Sequence, residues 1–318
     1  MKIVFMEPLG VSQSYLDKIC QPFIEGGHEL EFYQDISKDP EELYRRAQSA
    51  DIIVIANNPL PGGVIEGLDK LKLIDVAFTG VDHVDLQMAK AMGISVSNAS
   101  GYASKAVAEL SIGLTLSLYR HLNQLDQAIR LASKYPGPIQ GREISGKVVG
   151  IIGTGDLGIE TARLYKAFGA QLIGYNRSKK QAALDLGLTY LTLEEVMAEA
   201  DIISIHLPLN DQTQGIISKE MINKMKKPAV LINVARGPIV DNHALAEALN
   251  NHQISGAGID VYDMEPPLDE EEPLLKAKNT VLTPHIGYLT MEAMENRAQI
   301  VVDNALKFID GQPQNIIE

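Results

Sequence analysis

The chain has 318 residues, of which 45% are hydrophobic, and its formal net charge at pH 7 is -13. This length and apolar content can bury substantial cores and suggest about two domains. The acidic balance argues against nucleic acid as a partner, because phosphate binding needs a basic face. Cys20 is the only cysteine, which excludes an intramolecular disulfide and a cysteine-ligated zinc site. We predict no metal site.

The sequence also indicates no membrane partner. Residues 1–7 are too short and too soon interrupted by charge to form a signal peptide. No uncharged apolar run approaches the ~18 residues that a membrane-spanning helix requires. Because a single cysteine also fits a reducing compartment, we predict a cytoplasmic protein.

In the first third of the chain, apolar segments typical of strands alternate with helical patterns. The predicted strands cover residues 2–6, 29–33, 51–55, 73–78 and 94–97. Such alternation is typical of βαβ units and a parallel sheet. One helix, over residues 41–49, has a predicted capping box in which Asp39 is the N-cap, Pro40 the first helical residue and Glu42 the third residue after the cap.

A glycine-rich run stands almost halfway along the chain, between a predicted strand at 148–152 and a predicted helix at 157–168. The run is Gly153, Thr154, Gly155, Asp156, Leu157 and Gly158. A glycine-rich turn between strand and helix lets the backbone approach a pyrophosphate, and the helix N-terminus favours its charge. Since a further strand follows at 171–175, this context predicts an inserted dinucleotide-binding domain.

The alternation of strands and helices continues after the glycine run. Strands are predicted at residues 202–206, 230–234, 258–261 and 280–282, and Thr192 with Glu195 predicts a capped helix. Near the end, apolar residues at spacings of four and three predict one helix that stops at Gly311 and Pro313. These residues are Met294, Ala298, Val301, Ala305 and Phe308. The helix either caps the middle domain or crosses back to the N-terminal one, and residues 103–119 are a second candidate crossing helix.

Four ordered segments together resemble the D-isomer-specific 2-hydroxyacid dehydrogenase family, and among its members the glyoxylate and hydroxypyruvate reductases. They are residues 98–109 with the N-x-x-G…V-A-E signature, 143–158, 233–241 and 258–285. The resemblance implies an α/β fold of two doubly wound parallel-sheet domains. A Rossmann cofactor domain at 100–286 would be inserted into a flavodoxin-like substrate domain formed by 1–99, to which a helix in 287–318 returns.

The resemblance implies that the enzyme reduces a small 2-keto acid to a D-2-hydroxy acid, and three residues suit this chemistry. Arg236, in a loop after a strand, offers a fork of donors for a carboxylate and the adjacent carbonyl oxygen. His285 also follows a strand and can donate a proton near neutral pH. Glu265 can orient the imidazole and favour its charged form. Taken singly, Arg236 and His285 are more simply interpreted as surface residues. The joint occurrence of Arg236, Glu265 and His285 matches the family's Arg, Glu and His.

The end of the second strand of the cofactor domain bears on the choice of cofactor. Proteins that prefer NAD usually place a carboxylate here to bind the ribose, whereas this chain has Asn176, followed by Arg177 and Ser178. An amide does not repel the 2′-phosphate of NADP, and Arg177 with Ser178 can hold it. We predict that NADP is preferred, with NAD as the alternative. Asp156 is unusual near a pyrophosphate, and we expect it to face solvent.

Other site residues are implied by the resemblance. Asp260 resembles the family residue that contacts the nicotinamide, and His206 with Pro208 resembles a loop near the cofactor. Further implied cofactor-binding residues are Thr213, Val234, Ala235 and Gly287. Gly80 and Val81 resemble the loop whose amides hold the substrate carboxylate, while Asn57 and Asn58 follow the strand at 51–55 and can add polar contacts.

Substrate and assembly are less defined by sequence. The substrate loops lack a basic cluster, which disfavours phosphoglycerate. Glu265 disfavours formate oxidation, because formate-oxidising relatives carry Gln there. A phosphite-type dehydrogenase and a corepressor-like sensor of nicotinamide nucleotides stay as alternatives on the same fold. The resemblance implies a homodimer formed through the cofactor domain, in which residues 103–130 can supply interface helices.

Overall fold

The structure, a computed structural model, describes residues 1–132 and 137–317. Its strands are β1 Lys2–Phe5, β2 Glu29–Phe32, β3 Ile52–Ile55, β4 Leu73–Val76, β5 Ser95–Asn98, β6 Val148–Ile152, β7 Gln171–Tyr175, β8 Thr189–Tyr190, β9 Ile202–Ile205, β10 Val230–Asn233, β11 Gly256–Ile259 and β12 Thr280–Leu282. Its α-helices are α1 Gln13–Glu25, α2 Pro40–Ala47, α3 Gly62–Ile65, α4 Leu86–Ala91, α5 Ser104–Tyr119, α6 Leu122–Arg130, α7 Asp156–Ala167, α8 Gln181–Asp185, α9 Leu193–Glu199, α10 Lys219–Lys224, α11 Asn242–Asn250 and α12 Met291–Ile309.

These elements form two compact units. The first unit is Met1–Ala103 with Leu289–Glu318, and the second unit is Ser104–Tyr288. The unit boundaries lie a few residues beyond the predicted positions 99 and 286, and the separate tasks that we assign to the two units stay predictions. Within the described part of the chain, no helix has the length and apolar character needed to cross a bilayer.

The first unit is built on a parallel five-stranded sheet with the order β2-β1-β3-β4-β5. This is the flavodoxin-like order of a doubly wound sheet. All four residues of β3 and of β4 are buried, as expected for central parallel strands covered on both faces. The predicted fold of this unit is therefore confirmed.

The C-terminal helix α12 belongs to the first unit, where it packs against α1 and β4. Its buried face includes the predicted residues Met294, Ala298, Val301 and Ala305. A polar anchor adds to this packing: Asn304 donates hydrogen bonds of 3.0 Å to the Asp75 carboxylate and to the Asn98 carbonyl. Of the two alternatives, the chain thus crosses back to its N-terminal part.

The second unit contains a parallel seven-stranded sheet with the order β12-β11-β10-β9-β6-β7-β8. If the strands are numbered from β6 as strand 1, the order from β8 to β11 is the Rossmann order 3-2-1-4-5-6. The edge strand β12 is added beyond β11. The predicted strands at 148–152, 171–175 and 280–282 are found with the same bounds, whereas the two-residue edge strand β8 is not predicted. Helix α5 packs on α7, β10 and β11 of this unit.

The two predicted capping boxes have different outcomes. At α9 the Thr192 hydroxyl accepts from the Glu195 amide and the Glu195 carboxylate accepts from the Thr192 amide, so this prediction is confirmed. At α2 Asp39 is the N-cap and accepts from the Glu41 amide. The predicted role of Glu42 is wrong, because its carboxylate accepts hydrogen bonds of 2.6 and 2.7 Å from two arginines of the same helix, Arg45 and Arg46. Charged donors outcompete a neutral backbone amide for a carboxylate.

Candidate active site

The glycine run forms the turn between β6 and α7, and each glycine has a separate structural reason. Gly153 has φ +96°, and a Cβ there would lie 2.7 Å from the backbone of His206. A Cβ on Gly158 would overlap the Gly153 carbonyl, so Gly158 lets α7 pack against the turn. A Cβ on Gly155 would meet nothing within 4 Å. Open space at the second glycine, at the start of a helix, is what a pyrophosphate needs.

The side chains within this turn differ in their burial. Thr154 is fully buried, and its hydroxyl lies 2.7 Å from the Tyr190 hydroxyl. Leu157 is half-buried, while Asp156, the first residue of α7, is exposed. The exposure of Asp156 agrees with the expectation that its carboxylate faces solvent.

The loop after β7 lies against the glycine turn. The Thr154 amide donates to the Asn176 side-chain oxygen at 3.4 Å. The Asn176 amide group in turn donates to the Ser178 carbonyl at 2.7 Å. Arg177 and Ser178 are exposed, so their side chains are accessible to a ligand beside the turn.

The loop after β9 carries His206, Pro208 and Thr213. His206 is buried, and its Nε2 lies 2.9 Å from the Ser204 hydroxyl. Burial lowers the pKa of His206 to about 3, so its imidazole is neutral and does not serve as a proton donor at neutral pH. The Thr213 hydroxyl donates to the Pro208 carbonyl at 2.6 Å, which closes the loop on itself.

Arg236 follows β10 in a loop that is shaped by a buried asparagine. The Asn233 side-chain oxygen accepts from the Ala235 amide at 3.1 Å, and its amide group donates to the Arg236 carbonyl at 3.0 Å. Val234 and Ala235 are buried, whereas Arg236 is half-buried and donates from its guanidinium to the Ala235 carbonyl at 2.7 Å. The loop backbone is thus fixed, and the other guanidinium donors can serve a ligand.

Glu265 and His285 form a pair. The Nδ1 atom of His285 lies 2.9 and 2.8 Å from the two carboxylate oxygens of Glu265. The His285 side chain is 27% exposed and the Glu265 side chain 69% exposed. His285 has φ +54°, a left-handed conformation that is uncommon for a residue with a side chain. The carboxylate therefore engages one ring nitrogen and leaves Nε2 for another partner.

Asp260 holds the backbone of the loop that carries His285. One of its carboxylate oxygens accepts from the Thr283 hydroxyl at 2.6 Å and from the Ile286 amide at 2.9 Å. The other accepts from the Gly287 amide at 2.8 Å. A carboxylate has about four acceptor positions, so these three donors leave about one position of Asp260, which is 1% exposed, for another donor.

These loops meet at one edge of the second sheet. The strands β12, β11 and β10 are consecutive neighbours and parallel, so the segments that follow them lie at the same edge. Arg236, Glu265 and His285 stand in those segments. The glycine turn, the loop at Asn176 and the loop at His206 follow β6, β7 and β9 of the same sheet. Open α/β sheets bind their ligands at this carboxyl edge.

The predicted substrate residues of the first unit follow β3 and β4. Asn57 is exposed, and Gly80 and Val81 are half-buried. Asn58 is buried, and its amide group donates to the Ser37 carbonyl in the loop before α2. Its polar contact with a ligand stays a prediction.

Sequence reasoning missed the side chains that hold these loops from behind. Glu7 is buried, and one carboxylate oxygen accepts from the Ala56 amide at 2.8 Å and the Asn58 amide at 3.2 Å. Burial raises the pKa of Glu7, although these two amides act against the shift. Asn233, Thr283 and Tyr190 play similar parts in the second unit. A charged residue two positions after the buried strand β1 is a signal for Glu7, whereas no local pattern distinguishes Tyr190.

Comparison with known proteins agrees with this geometry. Residues 112–287 match the family model described as D-isomer specific 2-hydroxyacid dehydrogenase, NAD binding domain. The chain is 36% identical over 295 residues to the hydroxypyruvate reductase of Thermotoga maritima, covering 92% of this chain and 95% of that protein. It is 35% identical over 305 residues to the glyoxylate reductase of Thermococcus litoralis, covering 92% of each. Among solved structures, an acyclic imino acid reductase in complex with NADPH and D-Arg has a TM-score of 0.87 at 29% identity, with both chains fully covered.

Proposed function

Since the chain belongs to the D-isomer-specific 2-hydroxyacid dehydrogenases, we propose that Arg236, Glu265 and His285 are its catalytic residues and that its substrate is a small 2-keto acid. The family membership that the sequence motifs predict is confirmed. The protein is an oxidoreductase that uses a nicotinamide cofactor and acts on 2-keto and 2-hydroxy acids.

The observation that carries the proposed residue roles is the contact between Glu265 and His285. Because the carboxylate engages Nδ1, His285 presents Nε2 as the atom that donates a proton to the carbonyl oxygen of the substrate. Glu265 orients the ring and balances the charge of its protonated form. Arg236 binds the substrate carboxylate and polarises the adjacent carbonyl with donors that its contact with Ala235 leaves available.

The cofactor is held by the glycine turn and its neighbouring loops. We assign the pyrophosphate to the open side of Gly155, which Gly153, Thr154, Asp156, Leu157 and Gly158 frame. The nicotinamide end is assigned to Asp260, Gly287, Val234 and Ala235, and the loop from His206 through Pro208 to Thr213 covers the space between. When bound, the nicotinamide supplies the hydride that adds to the carbonyl carbon.

We propose NADPH as the preferred reductant. The support is the amide of Asn176 in place of a carboxylate, followed by the exposed side chains of Arg177 and Ser178. A bound NADPH in the similar imino acid reductase structure fits this choice. NADH is the alternative, with Asn176 binding the adenosine ribose.

We propose further substrate-binding residues in the first unit. In the first unit, the loops with Asn57, Gly80 and Val81 are proposed to bind the substrate carboxylate, and Glu7 keeps the loop at Asn57 in place through the amides of its two neighbours. The names of the two similar reductases favour glyoxylate and hydroxypyruvate as substrates.

We further propose a homodimer formed through the second unit. Helix α6 exposes 52% of Leu122 and 63% of Ile129, and large apolar side chains on one exposed helix favour a protein interface. Light scattering on the protein and on an Ile129→Lys variant tests this assembly. We also expect the enzyme in the cytoplasm, since its single, buried cysteine fits a reducing compartment.

A cofactor and substrate panel tests the proposed function. Purified protein is assayed with NADPH and NADH against glyoxylate, hydroxypyruvate, pyruvate and bulkier 2-keto acids, and in the reverse direction against phosphite. We expect the highest kcat/KM for glyoxylate or hydroxypyruvate with NADPH. If the protein binds the cofactor tightly but no keto acid oxidises NADPH or NADH, the proposed reduction of keto acids is contradicted and a nucleotide sensor is favoured. A higher kcat/KM with NADH would contradict only the cofactor preference.

A further inference from the structure

Tyr190 connects the glycine turn to the loop after β7. It is half-buried on the edge strand β8, and its ring packs against the buried core beneath the sheet. Its hydroxyl lies 2.7 Å from the Thr154 hydroxyl and accepts from the Lys180 amide at 3.0 Å. One side chain thereby contacts the turn that is assigned to the pyrophosphate and the loop that is assigned to the 2′-phosphate.

The backbone of Tyr190 is itself held by the sheet. Tyr190 pairs with Gly174 of β7, and the Leu191 amide donates to the Gly174 carbonyl at 3.0 Å. A Cβ on Gly174 would lie 3.0 Å from the Leu188 side chain and from the Ile151 carbonyl, so β7 is closely packed at this point. Because strand and ring are both fixed, the hydroxyl position is fixed too.

The loop after β7 is thus held near both of its ends. At its beginning, Asn176 links the Thr154 amide to the Ser178 carbonyl. At its end, the Tyr190 hydroxyl holds the Lys180 amide. The residues between these two anchors, Arg177, Ser178 and Lys179, are exposed. Restricting the backbone while leaving cationic and hydroxyl groups accessible lowers the entropy cost of binding an anion.

We propose that Tyr190 is a positioning residue for recognition of the 2′-phosphate, acting through the loop from Asn176 to Lys180. This inference rests on the proposed preference for NADPH. The 2′-phosphate is assigned to this loop, whereas the pyrophosphate is assigned to the glycine turn. Removing the Tyr190 hydroxyl frees the Lys180 end of the loop and removes the contact with the Thr154 hydroxyl. It leaves the Asn176 anchor, which also holds the Thr154 backbone amide. Affinity for ligands that carry the 2′-phosphate therefore falls more than affinity for ligands that lack it.

The test uses Tyr190→Phe, which keeps the ring and removes the hydroxyl. Calorimetry gives the Kd of wild type and variant for adenosine 2′,5′-bisphosphate and for 5′-AMP, two probes that differ only in the 2′-phosphate. We expect a loss of about 5-fold for the bisphosphate, the scale of one hydrogen bond, and less than about 2-fold for 5′-AMP. Tyr15→Phe is the matched control, because its hydroxyl donates to the Glu295 carbonyl in the first unit; both affinities are expected to stay unchanged.

A second measurement separates positioning from general structure. In Tyr190→Phe the KM for NADPH is expected to rise by about the same factor as the bisphosphate Kd, with kcat at saturating cofactor unchanged. Equal losses for both probes, or no loss for either, overturn the role of Tyr190 while the NADPH preference stands. If the wild-type protein binds the bisphosphate no better than 5′-AMP, the proposed NADPH preference is wrong, and this inference fails with it.

Discussion

The Glu265 carboxylate contacts Nδ1 of His285 at 2.8 Å, although the two residues are 20 positions apart and lie in different loops. The loop of His285 is fixed independently, by the hydrogen bonds from Thr283, Ile286 and Gly287 to Asp260. One contact of His285 thus orients its ring, and a separate set of hydrogen bonds holds the backbone of its loop. These two levels of support can be separated by mutation.

The first prediction concerns the proton donor. His285→Ala should lower kcat by roughly 100-fold or more, since general acid catalysis contributes on that scale. The Kd for NADPH should stay nearly unchanged, because His285 is not among the residues that we assign to the cofactor. Steady-state kinetics and a cofactor titration check the two parts, and unchanged turnover would remove His285 from its role.

The second prediction separates orientation from charge at Glu265. Glu265→Gln keeps an oxygen that can accept from Nδ1, whereas Glu265→Ala removes the contact. If orientation contributes, kcat should fall further in the Ala variant than in the Gln variant. Both variants should fold normally, because the Glu265 side chain is 69% exposed. Equal losses in both would assign the whole effect to the negative charge.

The third prediction concerns Asp260. Asp260→Asn replaces one acceptor oxygen with an NH2 group, which is a donor. Depending on the orientation of the new side chain, this NH2 group faces either the Gly287 amide or the two donors at Thr283 and Ile286. Leaving a buried donor unsatisfied costs about 1–3 kcal/mol. We expect a lower Tm and a lower kcat, because the loop of His285 loses a support. Isosteric Thr283→Val removes one of the same bonds and should give a smaller change in both measurements.

The fourth prediction is a pH dependence of stability from the first unit. Burial raises the pKa of Asp75 to about 7 from the ordinary value of 3.8, although hydrogen bonds from Asn304 and Ser97 oppose the shift. Among the described residues, the second oxygen of its carboxylate has no hydrogen-bond partner. The folded state therefore binds this proton more tightly than the unfolded state, so the contribution of Asp75 to stability falls as the pH rises from about 4 to about 7.

Asp75→Asn keeps an oxygen for Ser97 and Asn304 and removes the ionisation. Relative to wild type, the variant should gain stability as the pH rises through this range, by on the order of 4 kcal/mol at most. Urea unfolding at several pH values measures the difference. Asp51→Asn is an opposite control: the pKa of Asp51 is lowered, first by its hydrogen bond with Lys72, so its contribution is present above the ordinary pKa and is lost as the pH falls. A constant difference between Asp75→Asn and wild type would contradict the buried ionisation.

The site was partly readable from local patterns. Gly153, Gly155 and Gly158 stand between a predicted strand and a predicted helix, a context that favours a tight turn. Arg236, Glu265 and His285 each follow a strand. The residues that hold the loops, such as Glu7, Asp260 and Tyr190, act on backbone groups far away in the chain. The family resemblance predicts that Asp260 contacts the nicotinamide, but it does not predict the three hydrogen bonds that Asp260 accepts from the loop of His285.

The amino-acid sequence by itself determined the alternation of strands and helices, the glycine turn and the apolar face of α12, because these depend on neighbours within one or two turns of chain. Only the tertiary structure decided that α12 packs on the first unit, since periodicity shows which face is apolar but not which sheet covers it. The same holds for the contact of Tyr190 with Thr154, which stand 36 residues apart in the chain. In each case the outcome depends on which donors and acceptors the fold brings within hydrogen-bond distance.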